Sequence, residues 1–537
     1  MCYDILQIKI ALGGELTKMK KKRSILALLL VFSLVLASVA LSGCKPDDDD
    51  VDEDYVVSEE DLSPAFANEA LRFSGSFTVM TELDRSEGQA WNIVDLVEEN
   101  NLGDSAIKEA VATRNNLIRR NFGVKIARAT SQNIGEDSLQ AVNSGDDSYD
   151  AFMLSITGGL NLACGGGLLD FSMCDYIDLN QDWWDQGITE SLLLAGGAYI
   201  AVGDLLTVDK DGTWCVLFNK DNLSEMNRGL TDTKLYQLVK DGIGQAGGWT
   251  VEYLMTQAQA HSTAENDSSK NIWATDYQGS GKYGIFTQKE VATVFLQSAG
   301  YTPTVVDNSL AGVKANMDSN AFGDAVNMVW QNFGQRTNTE WFLDLDTVVG
   351  KDPVDGWQNI ARGGFMANKA TFFICHVGTI NLIRDMKSDF GILPIPKLFE
   401  SQTEYGNTIQ YVNGHCYVVP DRAGDSLDEK STYILEAMAY YSSQEYGGET
   451  SLNYAYYDIV LRGKASRDDD SWEMLDLIFD TRVYDFACAL DIKDVNSVIT
   501  NSVCELEYRW ASRKASLLDG FDDAIAEALK GLTNPDT

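Results

Sequence analysis

The eleven tryptophans offer the most direct route to a ligand. An indole plane covers the apolar CH face of a sugar ring while the ring hydroxyls find hydrogen bonds nearby. Trp183, Trp184, Trp214, Trp273, Trp341 and Trp357 lie in polar or glycine-rich surroundings that read as loops or strand ends, where function concentrates. Core packing is the competing reading for each of them. Trp249, at the start of a helix-like stretch, is assigned to the core. Two of the three histidines adjoin a cysteine, in Cys375-His376 and His415-Cys416. Four such ligands would suffice for tetrahedral zinc. Neighbours on a strand point to opposite faces, however, so a dipeptide seldom gives both side chains to one metal. The expectation is no metal and no cofactor, buried cysteines, and His376 either facing a cleft or hydrogen-bonded.

Enzyme motifs fail on their context. Gly242-Ile243-Gly244-Gln245-Ala246-Gly247 has the GxGxxG spacing but follows a helix-like stretch, where a dinucleotide loop needs a strand. The sequence has no GxSxG elbow, P-loop or HExxH, so no catalytic residue is assigned. Asp209-Lys210-Asp211-Gly212 lacks the third oxygen ligand of a calcium loop and reads as a turn. A glycoside hydrolase remains the enzyme alternative, because two carboxylates suffice for that chemistry and 80 acidic residues do not exclude a pair. A surface adhesin is the third class.

These residues need elements to hold them. Ser76 to Thr81, with Phe77 and Val79, reads as a first strand. A polar, helix-favouring segment runs from Glu87 to Arg120, with Ile107, Val111 and Ile118 at near-helical spacing, and Asn121-Phe122-Gly123 ends it. A second strand spans Val124 to Ala127, a helix lies around Leu139 to Val142, and Tyr149 to Leu154 forms a third strand. Alternating strands and helices predict an α/β fold with a largely parallel sheet. Ligands of such sheets sit beyond the carboxyl ends of the strands. That singles out Thr81, Glu82 and Asp84, and then Ser155, Thr157 and the NH groups up to Gly159; an ordinary turn is the competing reading.

The order of segments resembles the family 1 extracellular solute-binding proteins. Asn121 to Ile126 resembles their helix, Gly, short strand element. Gly145 to Ala151 is similar to "aGdxpDvv", Gly167 to Ser172 to "GlLxdLs", and Gly212 to Asp221 to "g...lyYNkd". Gly248 to Leu254 is similar to "tWdel", Ala361 to Gly378 to "GkaaMxixg", Asp389 to Pro396 to the strand ending in Pro-x-Pro, and Tyr433 to Tyr441 to "A.eFl.yl". Phe372 and Cys375-His376 depart from the pattern, and residues 302–351 do not align.

The resemblance implies a two-lobed, type II periplasmic-binding-protein-like fold with a hinge between lobes, crossed near Leu205, Tyr411 to Val419, and Leu461. Lobe one would hold residues 73–205 and 415–460, and lobe two residues 206–414 and 461–537. Tyr411 and Asn413, at the second crossing, would add a ring and an amide to the cleft. The implied function is capture of a small polar solute, a sugar, by a monomer that delivers it to ABC permease subunits without turnover. The stretch from Tyr456 to Asp470 resembles one common to long clostridial members, which implies a Gram-positive source.

Near the N-terminus Lys18, Lys20, Lys21, Lys22 and Arg23 precede an apolar run from Ile25 to Leu41, the form of a signal peptide. Leu41-Ser42-Gly43-Cys44 resembles a lipobox, so residues 1–44 are read as the signal and Cys44 as the lipidated first residue of the mature chain. An uncleaved membrane helix is the competing reading. Met19 would make a better start than Met1. Residues 45–72 open on an acidic block that reads as a disordered tether. A net charge of −38 argues against nucleic acid as partner. Setting Cys2 and Cys44 aside leaves seven cysteines of nine, an odd number with no disulfide framework.

Overall fold

The computed structural model describes residues 62–66, 70–85, 91–98, 102–226, 229–263, 282–306, 312–333, 342–344, 357–422, 426–445, 448–465, 467–505 and 507–533. The signal, Cys44 and most of the tether lie outside these residues, as do Trp273 and Trp341. Among the described residues no helix is long and apolar enough to cross a membrane.

The strands are β1 (Ser76–Glu82), β2 (Lys125–Ser131), β3 (Ala151–Ser155), β4 (Trp214–Asn219), β5 (Tyr283–Thr287), β6 (Thr304–Val306), β7 (Val313–Ala315), β8 (Phe342–Asp344), β9 (Ala370–His376), β10 (Phe390–Leu393), β11 (Asn407–Thr408), β12 (His415–Val418) and β13 (Arg482–Val483). One sheet has the order β12-β3-β1-β2, and another the order β10-β4-β9-β5-β8. In the first, β1 pairs parallel with β2 and β3, while β12 returns antiparallel to β3. The parallel arrangement follows from the helices between strands: α1 (Ser105–Phe122) and α2 (Ile134–Ser144) carry the chain back over the sheet.

α1 starts later than the polar segment from Glu87 predicts. Asp104 caps it, its Oδ1 accepting from the Ala106 NH at 3.0 Å, which fixes a start the helix-favouring composition could not mark. Gly123 ends it at φ 76°, where a Cβ would lie 2.5 Å from the Phe73 carbonyl oxygen. Ile107, Val111 and Ile118 are all buried.

The second sheet is apolar on both faces, and its alternation sorts the side chains. Val216, Phe218, Phe372 and Ile374 join a core shared with Phe77, Val79 and Phe152 of the first sheet. Cys215, Leu217, Phe373 and Cys375 face a separate cluster that includes Ile107 and Val111 of α1. Each such Val, Leu, Ile or Phe contributes roughly 1.5–3 kcal/mol by burial. The period of two also places Trp214 and His376, opposite each other in the β4–β9 register, on one side of the sheet.

The chain passes from the first sheet to the second through residues 203–213, with a one-turn helix at Val208–Asp211, and returns through residues 409–414. The carboxyl-terminal segment, expected within lobe two, touches elements on both sides. Helices Phe486–Leu490 and Lys530–Thr533 pack on α3 (Ile156–Cys164), whereas Val495–Val503 packs on α4 (Val291–Ser298).

Candidate functional site

Two groups of side chains gather where β1, β3 and β5 end. The first is polar. Glu82, the last residue of β1, brings Oε1 to 3.5 Å from Nε2 of His415, at the limit of a hydrogen bond. The His415 Nδ1 bonds the Asn413 carbonyl at 2.8 Å, and Arg85 reaches the Asn413 Oδ1 at 3.4 Å. Asp84 takes both terminal nitrogens of Arg128 at 2.9 Å, a bidentate pair. Burial alone would raise the Glu82 carboxyl, but His415, Arg85 and Arg128 outweigh it and hold it below the usual range.

The second group encloses a cavity of about 130 Å3. Thr157 lines it from the first turn of α3, Trp214 from the start of β4, Glu290 and Gln297 from the α4 region, and Gln410 and Tyr411 from the return crossing. Tyr411 donates its hydroxyl to the Gln297 Oε1 at 2.8 Å and accepts from the Asp485 NH at 2.7 Å. Gln410 donates to the Glu290 Oε2 at 3.1 Å. These bonds fix the orientation of the wall, as a preorganised polar site requires.

Behind this wall three rings pack in series. The His376 ring lies 4.1 Å from Trp214 and 5.2 Å, edge to face, from Trp91. Its Nε2 is buried with no hydrogen-bond partner. Burial lowers the His376 pKa to about 3, so the imidazole is neutral at physiological pH. Trp91 holds φ at 71°, a conformation that costs a bulky residue free energy and marks functional segments.

Of the expected site residues, Thr157, Trp214 and Tyr411 share the cavity wall, and His376 abuts it through Trp214. Glu82, Asp84 and Asn413 form the neighbouring polar group. Ser155 instead caps α3, its Oγ accepting from the Gly158 NH at 3.1 Å. Trp183 lies in a turn, and its buried indole donates to Glu436 Oε1 at 3.0 Å, while Trp184 donates to Oε2 at 2.9 Å. Trp183 also borders a larger cavity of about 450 Å3. Among that cavity's charged residues, Asp185 pairs with Arg482 and Asp204 with Lys210, and Asp182, Asp476 and Asp480 add further carboxyls to its wall. Trp273 lies outside the described residues, and Trp357 falls in the helix Trp357–Arg362.

Sequence reasoning missed Glu290, Gln297, Gln410 and Trp91, and singled out His415 only as a possible metal ligand or a cleft-facing or hydrogen-bonded histidine. Glu290 was within reach, since it follows β5 by the same strand-end rule; nothing in the sequence marks the backbone of Trp91. Cys375 and Cys416 are buried in different sheets. Among the described residues no group of three His, Cys, Asp or Glu is placed to hold a metal ion. The GxGxxG stretch follows a helix, Asp232–Gly242, and Lys397 ties its carbonyls together, bonding those of Gln245 at 2.8 Å and Gly247 at 3.3 Å.

No protein-family model matches the chain, and no curated protein matches it in sequence. Among solved structures, the galacto-N-biose/lacto-N-biose I-binding protein of an ABC transporter from Bifidobacterium longum, in complex with lacto-N-biose, aligns with a TM-score of 0.50 at 11% identity, over 87% of this chain and 98% of that one. An ABC substrate-binding protein from Listeria monocytogenes, in complex with cycloalternan, aligns with a TM-score of 0.49 at 13% identity, over 85% and 100%. A cyclic alpha-maltosyl-1,6-maltose binding protein from Arthrobacter globiformis gives 0.48 at 13% identity, over 86% and 98%. At such identities the likeness speaks of fold. With its two sheets, its crossings between them and the Bifidobacterium alignment over nearly the whole of both proteins, this chain has the two-lobed α/β fold of the type II periplasmic binding proteins.

Proposed function

We propose that this chain is the substrate-binding lipoprotein of an ABC importer, a family 1 extracellular solute-binding protein that captures a mono- or oligosaccharide and hands it to a membrane permease. The observation that carries this reading is the cavity at the strand ends, where the Trp214 indole adjoins the hydroxyl of Thr157 and the amides of Gln297 and Gln410. An aromatic face beside fixed hydrogen-bonding groups suits a sugar ring. The Bifidobacterium longum protein of like fold is described in complex with lacto-N-biose, which supports the same class. Lobe one is assigned residues 73–205 and 415–460, lobe two the remainder, and closure about the crossings brings the walls onto the ligand. The protein acts extracytoplasmically as a monomer, anchored through Cys44, and releases its ligand unchanged.

A thermal-shift screen of neutral mono- and oligosaccharides tests the proposal. A ligand that binds only the native state stabilises it by about 2.7 kcal/mol at a hundred times its Kd. The expected result is a rise in Tm with one or more sugars, a smaller radius of gyration in the complex, and sugar recovered intact after hours. Stabilisation by peptides alone would reject the substrate class, and shortened oligosaccharides would favour a glycoside hydrolase.

A further inference from the structure

The larger cavity, of about 450 Å3, has the size of a small-molecule site, roughly 300–1,000 Å3. Segments far apart in the chain meet around it: residues 182–187, Gly203 and Asp204 of the first crossing, Tyr457, the end of the helix Asp469–Asp480, and Arg482 of β13. Trp183 and Trp184 commit their indole NH groups to Glu436, which leaves ring carbon and main chain for the cavity. Phe479 adds a ring whose centroid lies 5.6 Å from that of Tyr457. Carbon surface and polar groups therefore share one space.

Two features of the polar wall point to a ligand. The first is a donor. The Arg482 side chain is only 9% exposed; its terminal nitrogens bond Asp185 and, at 3.0 Å, Asp209, while its Nε is buried with no acceptor. A buried donor left in that state costs roughly 1–3 kcal/mol. The second feature is a set of acceptors. Asp476 and Asp480 stand one turn apart on one face of their helix, at its carboxyl-terminal end, where the macrodipole disfavours negative charge. Burial and the Asp476 carboxylate push the Asp480 carboxyl above its usual range. Arg462 offsets Asp476 at 2.6 Å, and Asp182 and Asp480 are exposed at the wall. Side chains that break a local rule beside a cavity mark function more often than stability.

A ligand that answers both features must accept from Arg482 and donate to carboxyls. An ammonium group only donates and a carboxylate only accepts, whereas a hydroxyl does both. Sugars and polyols carry several hydroxyls on a carbon frame that packs against ring carbon. We propose that this cavity is a second ligand site, sharing no lining residue with the strand-end cavity, and that it takes a neutral polyhydroxylated compound, a sugar or a polyol.

Equilibrium dialysis of the full chain against labelled glucose, maltose, sorbitol and glycerol, from micromolar to millimolar concentration, tests the proposal. At least one compound should show a binding event that weakens by about tenfold or more in Asp182→Ala/Asp480→Ala, as loss of hydrogen bonds to charged acceptors implies. Weakening confined to glucose or maltose identifies a sugar site, and weakening confined to sorbitol or glycerol a polyol site. Should the double variant lose its native Tm, Asp480→Ala alone takes its place. If every compound that binds does so equally to wild type and variant, the second site is overturned and sugar capture at the strand ends stands. A single site that the variant abolishes supports the second site and removes the strand-end cavity as the place of capture. Binding by none of the four overturns the second site, and the wider sugar screen above decides the strand-end reading separately.

Discussion

Glu436 has no solvent contact and receives four donors: the Ser63 hydroxyl at 2.6 Å, the Trp183 and Trp184 indoles at 3.0 and 2.9 Å, and the Asp178 NH at 3.4 Å. Burial nevertheless pushes its pKa up to about 7, against the pull of those donors. Because the folded pKa lies above the unfolded value, the native state holds a proton that the unfolded chain has lost between about pH 4.5 and 7. The resulting stabilisation is fully present below the unfolded pKa and is lost as pH rises through the folded one. It amounts to the order of 3 kcal/mol at 1.36 kcal/mol per unit. The expectation is that Tm falls as pH rises from 5 to 7.5, and that Glu436→Gln flattens this fall. The variant should also lose roughly 1–3 kcal/mol near pH 5, since one amide oxygen cannot serve both indoles and an orphaned donor remains. Parallel Tm profiles for the two proteins would show that Glu436 does not govern the slope.

At the scale of elements, α3 carries Thr157 to the cavity only because it lies close against β12. Gly159 permits that approach: a Cβ there would stand 2.4 Å from the Cys416 Sγ and 3.3 Å from Ile200 and Val418 methyls. Helix propensity favours Gly→Ala by up to about 1 kcal/mol, but overpacking typically costs about 1–3 kcal/mol, so the clash decides the sign. Gly159→Ala should therefore destabilise the protein in urea unfolding. Cys416→Ala should rescue part of the loss, with a coupling of about 0.5 kcal/mol or more in the double-mutant cycle; strict additivity would show that the helix simply shifts away. The same elements explain what could be read beforehand. β1, β2 and β3 were legible because Phe77, Val79, Ile126 and Phe152 sit in short apolar runs between turn signals, and their edges moved by a few residues. The start of α1 was not legible, since a polar surface segment looks helical whether or not it packs, and only the Asp104 cap settles where the helix begins.

For the whole molecule, the cavity draws on residues as far apart as Thr157, Trp214, Glu290, Tyr411 and Asp491. Thr157 could be found from strand-end geometry and Tyr411 from the order of segments. The polar neighbours of Trp183 give no sign of the buried Glu436 carboxyl, more than two hundred residues away, that its indole reaches. The N-terminus poses a similar question of distance. Leu62, Ser63 and Phe66 are buried, with Phe66 stacked on Tyr433 at 3.7 Å and Ser63 on Glu436, both residues of the helix Ser426–Ser443. Whatever holds Cys44 is thus linked to the folded body through residues 45–61, which reach at most roughly 60 Å at 3.3–3.6 Å per residue. A chain of net charge −38 is repelled by anionic headgroups, so its overall charge does not draw it to a membrane. A single acyl chain gives only marginal binding and two give a stable anchor, which is the arrangement a diacylated Cys44 supplies. Cells expressing the wild type should therefore incorporate labelled fatty acid into the protein and retain it with the membrane. Cys44→Ala should carry no label and partition into detergent-free extracts, while its Tm and sugar-induced stabilisation stay unchanged because the substitution lies ahead of the docked Leu62–Phe66 segment. Equal labelling of the two forms would remove the lipid anchor and return the apolar run from Ile25 to Leu41 to the reading of an uncleaved membrane helix.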